Sequence, residues 1–115
     1  MNEIELIIRQ VVPKQAEIEE LPSSGFNFLI YRVCWNLGDD PARPHKKSKM
    51  ISVEVPYEMI QDLPNMPATK RAQVSGRVLE FLASKYAVFE PSHNVGRDKS
   101  QPVERWIIPP DVWSV

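Results

Sequence analysis

The spacing of apolar positions changes several times along the chain, and each change marks an element. Ile4, Ile7, Ile8 and Val11 fall at i, i+3, i+4 and i+7, one stripe of an amphipathic helix that Pro13 ends. The alternation Ile4, Leu6, Ile8 offers a competing strand with favourable β-branched content; helix is the reading adopted. Gln15 to Leu21 alternates weakly around Ala16 and Ile18, and the run Pro22 to Gly25 supplies turn chemistry, so a short edge strand and a hairpin turn are expected.

Phe26 to Leu37 carries the strongest strand pattern. Leu29, Tyr31, Val33, Trp35 and Leu37 point one way and Phe28, Ile30, Arg32 and Cys34 the other, and both sets are largely apolar, as in a central strand. Met50 to Val55 alternates with Ile51, Val53 and Val55 inward and Ser52 and Glu54 outward, which predicts a half-exposed antiparallel partner.

Pro56 then opens a short helical turn over Tyr57 to Leu63, and a longer helix is predicted from about Ala68 to Tyr86. At 100° per residue its buried face reads as Ala68, Ala72, Ser75, Leu79, Leu82 and Tyr86, with Val78 at the edge. Gly76 in mid-helix predicts a close approach to the strand beneath. Val103 to Ile108 reads as one more short strand before Pro109 and Pro110.

The expected fold is α+β: a small antiparallel sheet of three to four strands, with an N-terminal helix and a long C-terminal helix packed on one face. Residues 1–115 fit a single domain, because halves of a 115-residue chain would bury too little surface. A 43% hydrophobic and 25% charged composition supports a packed core without metal or disulfide. The single Cys34 lies in an apolar run and reads as a small buried hydrophobe. No stretch approaches the roughly 18 apolar residues of a membrane span. The start of the chain resembles neither a signal peptide nor a mitochondrial presequence, so a cytoplasmic setting and no membrane partner are expected.

Charge changes this picture by singling out particular segments. Residues 1–40 hold seven acidic against three basic side chains, whereas Arg43, Lys46, Lys47 and Lys49 cluster in the long charged hairpin loop 38–49. Hairpin connections are commonly two to five residues, so a loop of this length with Pro41 and Pro44 reads as a shaped surface or recognition edge. A second polar loop spans 90–102, and an apolar tail, 109–115, is expected to dock on its own domain or on a second subunit.

Candidate chemistry is sparse. His45 and His93, one in each polar loop, are the only histidines; they match no metal-ligand spacing, no nucleophile sits in a strand-to-helix GxSxG turn, and there is no glycine-rich phosphate loop. No catalytic residue, metal or cofactor is assigned. The leading expectation is a small non-catalytic protein that binds another protein or pairs with itself as a homodimer, with Trp106, Trp113 and Val115 as interface candidates.

The alternative is nucleic-acid binding through Arg43, His45, Lys46, Lys47, Lys49, Lys70, Arg71 and Arg77, with the loop and the start of the long helix forming one basic patch. The order αβββα is shared by double-stranded RNA-binding domains, a likeness of topology without that family's sequence signature. An enzyme centred on His45 or His93 is the third expectation.

Overall fold

A computed structural model of the chain describes residues 3–22, 28–36, 48–90 and 103–113. Helix α1 spans Glu3–Val11, β1 Glu17–Pro22, β2 Phe28–Cys34, β3 Met50–Pro56 and α2 Tyr57–Asp62, followed by a 3-10 turn at Leu63–Asn65. The long helix α3 spans Ala68–Ala87, β4 Val103–Ile107, and a last helical turn, α4, Pro110–Trp113. The class is α+β, with the N-terminal helix and the long helix over one face of a four-stranded sheet ordered β1-β2-β3-β4.

At the N-terminus the helix reading holds because of Leu6 and Ile7. A strand would have buried Leu6 and exposed Ile7; instead Leu6 is exposed and Ile4, Ile7 and Ile8 are buried. β1 is the edge strand expected, antiparallel to β2, and β2 pairs antiparallel with β3.

β4 departs from the antiparallel expectation by adding parallel to β3, Val53 opposite Trp106, so the sheet is mixed. The cause is connectivity: α2 and α3 carry the chain across the sheet and return it in the same direction, as a parallel crossover requires. The Ile108 N–H extends the pairing by donating to the Glu54 carbonyl at 3.0 Å.

Direct register places Leu29, Tyr31 and Val33 of β2, Ile51, Val53 and Val55 of β3 and Trp106 of β4 on one face. These residues form a single buried cluster with Ile4, Ile7 and Ile8 of α1 and Val74, Val78 and Leu82 of α3. The buried stripe of α3 is therefore rotated from the one predicted. Its centre is Val74, Val78 and Leu82, spaced by four, while Ala68 and Ala72 face water. Small alanines at the start of a helix gain little from burial, and the bulkier valines set the packing.

The half-exposed reading of β3 is also corrected, since Ser52 and Glu54 on its outward side are buried. β3 is an interior strand, and Arg105 of β4 reaches across to Glu54.

Gly76 lies on the exposed side of α3, and a Cβ built there would meet nothing within 4 Å. The close approach predicted from sequence is absent. Gly76→Ala is thus expected to stabilise the protein by about 1 kcal/mol through helix propensity and a less flexible unfolded chain, read as a higher urea midpoint with unchanged slope.

α1 is tied to the start of α3 by Glu3. Its carboxylate accepts from Arg71 Nε at 2.8 Å and from Ser75 Oγ at 2.6 Å. Burial pushes the Glu3 carboxyl up, but the hydrogen bonds from Ser75 and Arg71 and the Arg71 charge outweigh it and hold it below its ordinary value of 4.5.

A lowered folded value stabilises the protein above the ordinary value and loses that stability as the pH falls through the folded one. With Arg71 partly in solvent, Glu3→Gln is expected to cost about 0.5–1 kcal/mol at pH 7. Denaturant titrations of the two forms should converge as the pH falls below 4.5.

Candidate interaction surface

Every second residue of the strands points away from the helices and forms the other face of the sheet. Register gives three rows across it: Glu17, Cys34, Met50 and Val103, then Glu19, Arg32, Ser52 and Arg105, then Leu21, Ile30, Glu54 and Ile107. None of the apolar members Leu21, Ile30 and Ile107 packs into the core cluster, and among the described residues no helix lies over them. Ile107 is 42% exposed and Val103, at the start of the same strand, 59%. Among the described residues, then, one face of the sheet is covered by helices and the other, partly apolar, is not.

Glu54 is the one carboxylate on this face that is buried. It lies between Ile30 and Ile107 and accepts a bidentate pair from Arg105, Nε at 2.5 Å and the terminal nitrogen at 2.8 Å. The two partners differ in exposure: 8% for the Glu54 side chain against 64% for that of Arg105. The hydrogen bond to Glu54, and after it the Glu54 charge, raise the Arg105 pKa above its ordinary value, so this guanidinium is a fixed cation standing on the surface.

The sheet edges offer less. β1 presents Glu19 and Glu20, exposed carboxylates on an outer strand, which oppose pairing with a second copy of the same strand.

The interface candidates from sequence fall differently. Trp106 is 2% exposed and faces the core, where its indole N–H donates to Glu104 Oε2 at 3.0 Å. It is unavailable to a partner because its position in β4 shares the face of Val53. Trp113 is half-buried against the same core, its indole N–H enclosed with no acceptor among the described residues. Val115 lies outside the described residues, as does most of the tail's end.

Of the proposed basic patch, Arg43, His45, Lys46 and Lys47 lie outside the described residues, and so does His93. The loop's root is well defined. The Ser48 N–H donates to the Trp35 carbonyl at 2.8 Å, the Trp35 N–H donates to Ser48 Oγ at 3.1 Å, and Trp35 packs on Tyr86 and Phe89 at the end of α3.

Lys70 stands sixteen residues before Tyr86, about 24 Å away along the helix axis. Lys49, at the root, and Lys70 and Arg71, at the helix start, are therefore brought to opposite ends of α3. Arg71 is engaged by Glu3, and Arg77 donates to the Asp111 carbonyl at 3.4 Å. The order αβββα is extended here by α2 and by the parallel β4.

The outer side of α3 carries two shallow depressions open to solvent, one lined by Ala72, Gln73, Gly76, Arg77 and Glu80. The other reaches Phe81, Ser84 and Val112. In the second, the Ser84 hydroxyl donates to the Phe81 carbonyl at 2.7 Å. Among the described residues no three His, Cys, Asp or Glu side chains converge as metal ligands, and no helix is long and apolar enough to cross a membrane.

The sequence reading missed this surface because it assigned Glu54 and Ser52 to solvent one strand at a time. The signal was present in the β4 segment VERWI, which alternates with the wrong residues outward for a simple core strand: valine, arginine and isoleucine. No protein-family model, curated protein or solved structure matches the chain.

Proposed function

We propose that the protein acts as a non-catalytic binding module, taking another polypeptide on the open face of its sheet. One observation carries this reading: Leu21, Ile30 and Ile107 are apolar, lie in one row across β1, β2 and β4 with Glu54 of β3 between the last two, and are separate from the core. The charges beside them, Glu19, Glu54, Arg32 and Arg105, are of both signs, which suits a protein surface better than a polyanion.

Nucleic-acid binding has less support, since the helix cations are separated from the loop's root and two of the three are engaged. That alternative requires affinity that falls steeply with salt.

The test is a photoreactive amino acid introduced at Ile107 in living cells, with one at Glu80 on the outer side of α3 as control. Capture of a polypeptide from position 107 and not from position 80 is the expected result. No capture from 107 overturns the reading.

A further inference from the structure

The occupant of the open face follows from its pattern, granted the binding role proposed for that face. We infer that it is a second copy of the chain, packed sheet on sheet about a two-fold axis parallel to the strands. Such an axis reverses the strand order across the interface, so β1 of one copy faces β4 of the other and β2 faces β3. Each row then meets its own reverse.

Glu19 meets Arg105 and Leu21 meets Ile107, each twice by symmetry, while Arg32 meets Ser52 and, in the remaining row, Cys34 meets Met50 and Glu17 meets Val103. Glu54 meets Ile30 with its carboxylate already held by Arg105. A two-fold axis across the strands gives a different result. Passing between the Glu19 and Leu21 rows, it would set Glu19 against Leu21, Arg32 against Ile30 and Arg105 against Ile107, pairing charge with hydrocarbon at three of the four positions, and Ser52 against Glu54. Aligned sheet packing, with strands within about 30° of each other, permits the first arrangement.

Two further observations favour the face over the edges. The exposed carboxylates of β1 oppose edge-to-edge pairing of two copies. β1 of one copy against β4 of the next in a continuous sheet would be heterologous and would not close. The face is also small. Four strands about 4.8 Å apart and about 20 Å long make a plate well below the roughly 800 Å² per partner of a standard interface. The association is therefore weak and concentration-dependent, in the micromolar range or above.

The experiment uses the full chain in a Cys34→Ala background, with Leu21→Cys and Ile107→Cys made separately, and a short bis-maleimide as cross-linker. A mixture of the two variants should give covalent dimer several-fold in excess of either alone, because only residues 21 and 107 face one another. Sedimentation of the otherwise native chain should show reversible dimerisation. Glu19→Arg, on an exposed edge position, should weaken it about tenfold or more by setting two cations against each other at both ends, with an unchanged unfolding midpoint.

A monomer at all concentrations up to about 1 mM, or equal cross-linking by the single variants, overturns the proposal. If the chain stays monomeric while position 107 still captures a different polypeptide in cells, the second-copy inference fails and the binding reading stands. If position 107 captures nothing, both fail.

Discussion

Replacing Trp106 with alanine is expected to destabilise the fold by about 3–5 kcal/mol, read as a large fall in the urea midpoint. β4 is joined to the sheet along one side only, and in parallel register, so its side chains must supply much of its anchorage. Trp106 is the residue that does so. Its ring meets Phe89 edge-on at 5.6 Å between centroids, Phe89 meets Trp35 at 5.8 Å, and Trp35 meets Tyr86 at 6.3 Å.

This run of rings joins β2, the end of α3 and β4, and its removal leaves a cavity that aliphatic neighbours cannot fill. Trp106→Phe should recover part of the loss by restoring the edge-on contact with Phe89, while Glu104 loses the indole donor. The adjacent Ile107→Ala is the internal control. It points to the other face, and in the free monomer its effect on stability should stay within about 0.5 kcal/mol. Equal losses at 106 and 107 would show that the second face is packed as a core.

The contrast between those neighbours also explains what could be read from the sequence. Elements with a strong apolar period were legible: β2 from its two apolar faces, the bounds of α3 from Pro67 and the periodic run that follows, and α1 from Ile4, Ile7 and Ile8 against a competing strand alternation. Two features were not, and both depend on contacts between distant segments. The direction of β4 is set by where α3 returns the chain, which no local pattern in VERWI records. The buried state of Glu54 depends on an arginine fifty-one residues later, which becomes its neighbour only when β4 adds beside β3.

The rotation of the α3 stripe has a different origin. Alanine and serine fit either side of a helix, so a phase anchored on Ala68 and Ala72 was weakly determined, whereas Val74 and Val78 fix it. Of the basic patch, Arg43, His45, Lys46 and Lys47 lie outside the described residues. Lys49 at the loop's root and Lys70 at the helix start stand at opposite ends of α3, and Arg71 is used internally to hold α1.

Glu54→Lys is expected to cost about 3–5 kcal/mol, because it buries an ammonium between Ile30 and Ile107 and turns the bidentate contact with Arg105 into repulsion. Glu54→Leu should behave in the opposite way. A leucine there extends the apolar row formed by Leu21, Ile30 and Ile107, and exchange of a buried ion pair for packed hydrocarbon is commonly neutral or stabilising. The two unfolding midpoints should therefore fall on opposite sides of, or far from, one another, with the leucine form at or above the native chain. If both substitutions cost the same, the carboxylate is needed for the fold itself.

If they diverge, Glu54 serves the surface rather than the core. It holds Arg105 in one geometry across the face, and it interrupts an apolar row that would otherwise adhere in any register. The leucine form should then associate further than the native chain, forming species larger than a dimer by light scattering at concentrations where the native chain does not. Retained stability together with lost selectivity would mark this ion pair as the element that selects how the face is used.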